Sequence, residues 1–127
     1  MRYLISGSLI ICGIIHLLPI TGVFGADRLA MLYGTSFDDP NLAILMRHRA
    51  VLFGLLGTLL VIAAFKPSLQ ALAFVFGFVS VLSFLWLAWS TGNYSIQINR
   101  IVIADLVALL SLTVGSACHY YLRRRSK

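Results

Sequence analysis

This chain has few charged residues and no glutamate. Charged residues make up 11% of its 127 residues, whereas soluble domains carry about 25%. Hydrophobic residues make up 60% and the mean hydropathy is +0.94. About 55–60% of a soluble protein's surface is already apolar at ordinary composition, so this excess could not be hidden from water. The composition therefore excludes a soluble globular protein and predicts that the lipid bilayer is its main partner.

Several motifs that carry chemistry are also missing. Cys12 and Cys118 lie in apolar segments and form no CxxC pair, so we expect buried, reduced thiols; the alternative, a disulfide, requires the first and fourth runs to adjoin at matching depth. No spacing such as HxxxH supports a metal site, where several suitable ligands must meet. We therefore predict no metal, and the sequence identifies no cofactor.

The basic balance of the chain has a membrane explanation. A formal net charge of +6 would suggest nucleic acid in a soluble protein. Here four of the ten basic residues fall within the last five positions, directly after an apolar run. That pattern is typical of a membrane anchor and topology signal. We predict no nucleic-acid partner.

Four hydrophobic runs approach the roughly 20 residues that a membrane-spanning helix needs. They cover approximately residues 3–24, 40–65, 68–89 and 98–122. The length leaves no room for a separate soluble domain. The sequence therefore predicts a single all-α transmembrane domain over residues 1–127, a polytopic four-helix bundle.

Turn and capping residues separate the runs. Asp39 before Pro40 is typical of a helix start, Lys66-Pro67 of a tight hairpin, and Pro19 of a kink or helix end. The stretch ADRLAMLYG between the first two runs predicts a short interfacial helix, with Asp27 as its cap and Gly34 as its stop. This helix would either cover a pocket below it or form a plain interfacial turn.

Basic residues near the ends of the runs predict the orientation in the membrane. One side carries six Lys or Arg residues, and the other carries Arg28, Arg47, Arg49 and Arg100. Because cytoplasmic loops carry the excess of Lys and Arg, we predict that both termini are cytoplasmic in a bacterial inner membrane. Phe24 at the nearest cleavage site argues against a cleaved signal peptide in the first run.

Asp105 lies within the fourth apolar run, and we predict a polar cluster around it. A lone aspartate at mid-membrane costs about 2.5–3.5 kcal/mol on insertion scales, so we expect Asp105 to face inward and to pair with Arg47, Arg49 or protonated His16. Consecutive residues diverge by about 100° on a helix, so the Arg-His-Arg run cannot all point inward. Two interpretations stay open: an ion pair that fixes helix register, and a ligand-binding or proton-handling pocket. The candidate residues are His16, Arg47, His48, Arg49, Arg100 and Asp105.

Small residues at helical spacing predict close helix packing. Ala50, Gly54 and Thr58 form one stripe on the second run, and Ser111 and Gly115 form another on the fourth. We interpret the first stripe as a packing groove within the bundle, with a homodimer face as the alternative.

Sequence patterns in the first half of the chain resemble the small DoxX-like bacterial membrane proteins of unknown function. These patterns are IHLLP, LYG, and DDPNLAILMRHRAVLFGLLG leading into the second run. The resemblance implies a four-helix protein and, in some cases, an association with quinone-linked redox systems. The run MRHRAVLFG also resembles small proteins sometimes labelled phosphopantetheine adenylyltransferase. That activity is not expected here, because the chain has no glycine-rich phosphate loop and no HxGH-like nucleotide motif.

Three functions are compatible with these features. The first is a non-enzymatic membrane protein, either an accessory subunit of a membrane redox partner or a binder of a hydrophobic, lipid-like or quinone-like molecule. The second is a membrane-embedded isomerase or redox component using His16 and Asp105 as acid and base. The third is a small dimeric exporter, although such proteins usually carry a carboxylate in the first helix and this chain has no glutamate.

Overall fold

The computed structural model describes residues 1–125, in which every regular element is helical. The elements are α1 (Arg2–Leu17), a 3₁₀ helix (Leu18–Phe24), α2 (Ala26–Tyr33), α3 (Pro40–Phe65), α4 (Pro67–Thr91) and α5 (Ile96–Arg125). The predicted all-α fold, with a short helix between the first two spans, is confirmed.

Four segments are long and apolar enough to cross a membrane: α1 with the 3₁₀ helix, α3, α4 and α5. Large apolar side chains remain exposed along them, for example Leu55, Phe65, Trp86 and Leu110, each more than 60% accessible. In water such a surface would be unstable, whereas in a bilayer it contacts acyl chains. The chain is thus a multi-pass membrane protein by its helix lengths and composition.

Local chemistry explains where the long helices begin and end. The Asp39 side chain accepts a hydrogen bond from the Asn41 N–H at 2.9 Å, capping α3. Pro67 occupies the first position of α4, where a backbone N–H would have no partner within the helix, so its absence costs nothing. Because α4 can begin at this proline, Lys66 is the only residue between α3 and α4. After α4 the chain turns through Gly92 and Asn93, both with positive φ.

The first span changes helix type near its proline. The α-helical part ends at Leu17, and Pro19 occupies the start of the 3₁₀ helix. Helix α2 follows at once, and it ends at Gly34, which adopts the left-handed conformation that favours glycine. The predicted cap of α2 was wrong: the cap position is Gly25, and Asp27 lies within the first turn.

The four spans form a ring in which each packs against two neighbours. Helix α1 contacts α3 and α5, and α4 contacts the same two from the other side. Helices α1 and α3 approach each other closely at Gly13 and Gly57, which face each other. A Cβ added to Gly57 would lie 2.9 Å from the Gly13 carbonyl oxygen, so neither site has room for a side chain. The apolar core includes Leu9, Leu60 and Leu112, which are fully buried.

Candidate functional site

A cavity of about 300 Å³ lies in the half of the bundle where α1 ends and α3 and α5 begin. Along α5 it extends from Gln97 to Asp105, which is about 12 Å by helical rise. Helix α2 forms part of its wall through three consecutive residues, so α2 covers this cavity rather than only lying on the surface. The lining residues are Ile15, His16, Leu18, Pro19, Met31, Leu32, Tyr33, Arg49, Phe53, Phe84, Gln97, Arg100, Ile101, Ala104 and Asp105.

His16 is buried at the end of α1, and both of its ring nitrogens have partners. Nδ1 lies 2.8 Å from the carbonyl oxygen of Cys12, which can only accept, so Nδ1 carries the proton and donates. Nε2 lies 3.0 Å from the hydroxyl of Ser80 on α4. In a neutral imidazole Nε2 therefore accepts the hydrogen bond from Ser80. His16 links α1 to α4 across the bundle while one face of its ring meets Phe53.

Arg49 places its guanidinium between two aromatic rings. It donates a hydrogen bond of 2.8 Å to the Tyr33 hydroxyl, and its central carbon lies 4.7 Å from the centre of the Phe53 ring. It also lies 5.4 Å from the centre of the Tyr33 ring. Cation–π contacts of this kind stabilise a partly desolvated guanidinium and fix its plane. Arg49 is therefore a positioned cation within the cavity wall.

Asp105 is 8% exposed and lines the same cavity. Within residues 1–125 its carboxylate accepts no hydrogen bond, and no cation lies within ion-pair distance of it. Arg49 is close enough for its charge to act on Asp105, but the two side chains are not in contact. Arg49 belongs to α3, which lies opposite α5 in the ring of four spans. The expected inward orientation is present, but the expected direct pair with Arg47, Arg49 or His16 is not. The reason is that the cavity itself separates α5 from α3.

The remaining cationic candidates lie outside the cavity or at its rim. Arg47 is exposed, and its Nε donates a hydrogen bond of 2.8 Å to the Val23 carbonyl oxygen, joining α3 to the 3₁₀ helix. His48 is exposed and does not line the cavity. Arg100 is also exposed but does line it. Of the six candidates, the structure brings His16, Arg49, Arg100 and Asp105 together, and leaves Arg47 and His48 apart.

Sequence reasoning did not identify four polar or aromatic contributors to this site: Tyr33, Phe53, Ser80 and Gln97. Phe53 follows Arg49 by four residues, so helical spacing could have indicated it. Tyr33 lies on the predicted interfacial helix, where its packing depends on how that helix folds back. Ser80 gave no signal, because a serine in an apolar helix usually bonds to its own backbone.

The small-residue stripe on α3 packs inside the bundle. Ala50 and Gly54 are buried, and a Cβ added to Gly54 would lie 2.7 Å from Cδ1 of Ile20 in the 3₁₀ helix. The stripe departs from prediction at Thr58, which is exposed and donates a hydrogen bond of 2.7 Å to the Gly54 carbonyl oxygen. Buried Gly57 continues the packing face in its place.

The second pair of small residues lies on α5. Gly115 is buried, and a Cβ added there would lie 2.6 Å from the Cβ of Ser8 on α1. Ser111 is half-buried. Gly115 therefore lets α1 and α5 approach each other toward the end of the bundle opposite the cavity.

Metal and thiol chemistry has no assembled site in the described part of the chain. Residues 1–125 contain no group of three His, Cys, Asp or Glu side chains placed to hold a metal ion. Cys12 is buried, Cys118 is half-buried, and both thiols are free. The groups gathered at the cavity can instead hydrogen-bond to an organic ligand: one carboxylate, two guanidinium groups and one amide.

Comparison of this chain with protein-family models, curated proteins and solved structures finds no match in any of the three.

Proposed function

We propose that this chain is an integral membrane protein that holds a lipid-like or quinone-like molecule in the cavity beneath α2. The main support for this proposal is that Asp105 is buried in the cavity wall without a hydrogen-bond or ion-pair partner within residues 1–125. A carboxylate inside the bundle without a hydrogen-bond or ion-pair partner is unfavourable, and a ligand hydroxyl would supply the missing donor. Arg49, held in place by Tyr33 and Phe53, would donate to a second oxygen of the ligand head.

The dimensions of the cavity fit a compact head group rather than a whole lipid. Its volume of about 300 Å³ is at the lower end of the roughly 300–1,000 Å³ typical of ligand pockets. Leu18 and Met31 line it and are more than 60% exposed. No Cα atom of the 3₁₀ helix lies within 8 Å of one in α5 within residues 1–125, and a ligand tail would leave between these two elements for the bilayer.

Native mass spectrometry of the protein released gently from its own membranes tests this proposal. The wild type should retain a small amphiphilic molecule bearing hydroxyl or carbonyl oxygens. Asp105→Asn should retain less of it, because an amide replaces the acceptor with a weaker one. Asp38→Asn, an exposed change outside the cavity, is the matched control and should retain as much as the wild type. Equal retention by all three proteins, or none by the wild type, would contradict the proposal.

A membrane-embedded enzyme is the second candidate, favoured by the presence of His16 and Asp105 in one cavity. As an acid–base pair they would move a proton across a bound substrate. The hydrogen bonds at both His16 nitrogens argue for a structural histidine, because neither nitrogen is free to meet a substrate: Nδ1 donates to the Cys12 carbonyl oxygen and Nε2 is bonded to the Ser80 hydroxyl. Chemical conversion of the retained molecule by the purified wild type, lost in His16→Gln, would favour the enzyme.

The proposal extends to the setting of the protein. We propose that the protein is related to the DoxX-like proteins and lies in a bacterial inner membrane with both termini in the cytoplasm. This setting would suit a binder of membrane-soluble redox molecules. The orientation is supported by Arg2, Lys66 and Arg123–Arg125, which lie at one end of the bundle; Lys127 falls outside the described residues. A reporter enzyme fused after Lys127 should be active only in its cytoplasmic form. Activity confined to the periplasm would reverse the orientation.

A further inference from the structure

A second cavity lies at the opposite end of the bundle, away from Asp105. It measures about 550 Å³ and lies where α1 begins, α3 gives way to α4, and α5 ends. We call it the basic groove, defined by its lining residues Arg2, Ile5, Ser6, Ala64, Pro67, Gln70, His119, Leu122, Arg123 and Arg125. Three guanidinium groups from two helices thus share one concave surface.

Acidic side chains are absent from this end of the protein within residues 1–125. The four acidic residues of the whole chain are Asp27, Asp38, Asp39 and Asp105. The first three precede or begin elements at the far end, and Asp105 lines the first cavity. Arg2 and Arg125 therefore have no acidic side chain beside them within residues 1–125, and an external anion would offset their positive charge.

Tyrosines hold two of the terminal arginines in place. Arg125 lies 5.0 Å from the centre of the Tyr121 ring, and Arg124 lies 4.8 Å from that of Tyr120. Arg125 lines the groove, whereas Arg124 does not. The side chain of Arg125 is therefore oriented before any ligand arrives, and Arg124 is a neighbour of equal charge outside the groove.

The groove wall also contains a polar group without a partner. His119 Nδ1 lies 3.2 Å from the Gln70 amide oxygen, which fixes the ring. His119 Nε2 has no hydrogen-bond partner within residues 1–125, but it is shielded from solvent and can only accept while Nδ1 carries the proton, so it does not itself hold an anion. Four apolar residues line the groove as well, and two of them, Ile5 and Ala64, lie within the membrane-spanning parts of α1 and α3; the four are Ile5, Ala64, Pro67 and Leu122.

We infer that the basic groove binds the phosphate head group of an anionic phospholipid, with the acyl chains lying along the apolar part of the groove. Basic pockets between membrane helices recognise anionic head groups through charge-assisted hydrogen bonds from arginine to phosphate. A phospholipid fits better than free phosphate, because the groove places guanidinium groups beside apolar side chains that belong to membrane-spanning helices. This inference is independent of the function proposed for the first cavity.

The test compares two double variants that remove the same charge from the same end of the protein. Arg2→Gln with Arg125→Gln alters the groove. Lys66→Gln with Arg124→Gln leaves the groove lining unchanged. All four side chains are exposed, so both variants should fold. Thermal unfolding in nanodiscs of pure phosphatidylcholine verifies folding, and the single change Arg125→Gln replaces the groove variant if that variant unfolds early.

Binding is measured by native mass spectrometry of the full chain titrated with phosphatidylglycerol or phosphatidylcholine. The wild type and the control variant should bind phosphatidylglycerol with similar affinity, and the groove variant about tenfold or more weakly. Equal weakening in both variants would mean diffuse attraction and would overturn the inference. Equal binding of phosphatidylcholine, or displacement of the lipid by an equal concentration of inorganic phosphate, would also overturn it.

Discussion

Replacing Asp105 by asparagine separates a structural ion pair from a ligand site. When a buried ion pair loses one partner, the remaining charge is stranded and stability falls by about 3–5 kcal/mol. Within residues 1–125 Asp105 has no such partner: its carboxylate lies in a cavity, with the charge of Arg49 near it but not in contact. Asparagine has nearly the same shape, so Asp105→Asn removes a charge without breaking a contact.

The expected magnitude follows from the cost of that charge. An unpaired aspartate within a span costs about 2.5–3.5 kcal/mol on insertion scales, and this cost is the upper limit of the stability that removing the charge can restore. We expect Asp105→Asn to leave the unliganded protein as stable as the wild type or up to about 3 kcal/mol more stable. Since about 1 kcal/mol corresponds to roughly 4 °C in a domain of this size, the unfolding temperature should stay constant or rise by up to about 12 °C.

The assay is thermal unfolding in detergent after extensive exchange to remove bound molecules. Asp38→Asn, on the exposed loop before α3, provides the surface control and should stay within about 0.5 kcal/mol of the wild type. Adding a short-tailed quinol analogue, whose hydroxyl can donate to the carboxylate, should then stabilise the wild type and the control but not Asp105→Asn. A loss of about 3 kcal/mol or more in unliganded Asp105→Asn would show that Asp105 is a structural partner and refute this reasoning.

Two further changes test the packing around the site. Ser80→Ala removes the hydroxyl that bonds to His16 Nε2, and should lower the free energy of unfolding by about 1–2 kcal/mol in a reversible detergent titration; no change would mean that the bond is not formed in the membrane. Gly57→Ala places a Cβ 2.9 Å from the Gly13 carbonyl oxygen, whereas the Cβ of Gly7→Ala meets nothing within 4 Å. Only Gly57→Ala should therefore lower the unfolding temperature. An equal response of both variants would contradict the close contact of α1 and α3.

The fold was predictable because its signals are local or compositional. Four long apolar runs in a chain with 11% charged residues admit few alternatives to a helical bundle in a membrane. Asp39-Pro40 and Lys66-Pro67 set helix boundaries through their own backbone chemistry, and the structure places the boundaries there. The cap of α2 was predicted wrongly, because Gly25 adopts a conformation with positive φ that a neighbouring aspartate does not reveal.

The site was predictable only in part. The cost of burying a charge indicated that Asp105 faces inward, and the structure places it there. The same cost also predicted a direct ion pair, which Asp105 does not form within residues 1–125. The burial cost of a charge does not reveal that a cavity lies beside the carboxylate. Neighbouring positions on α3 also gave no way to choose among Arg47, His48 and Arg49. That choice depends on how α2 and the 3₁₀ helix fold back, which brings Tyr33 to Arg49 and Val23 to Arg47.

The central claim is that the cavity beneath α2 holds an amphiphilic ligand whose head group bonds to Asp105. The most direct measurement is an experimental structure of the full chain in particles of its native lipids. We predict density for the compact head group of a ligand between Asp105 and Arg49, and for its tail leaving the cavity past Leu18 and Met31. A closed cavity with Asp105 bonded directly to Arg49, or an open cavity containing only water, would contradict it.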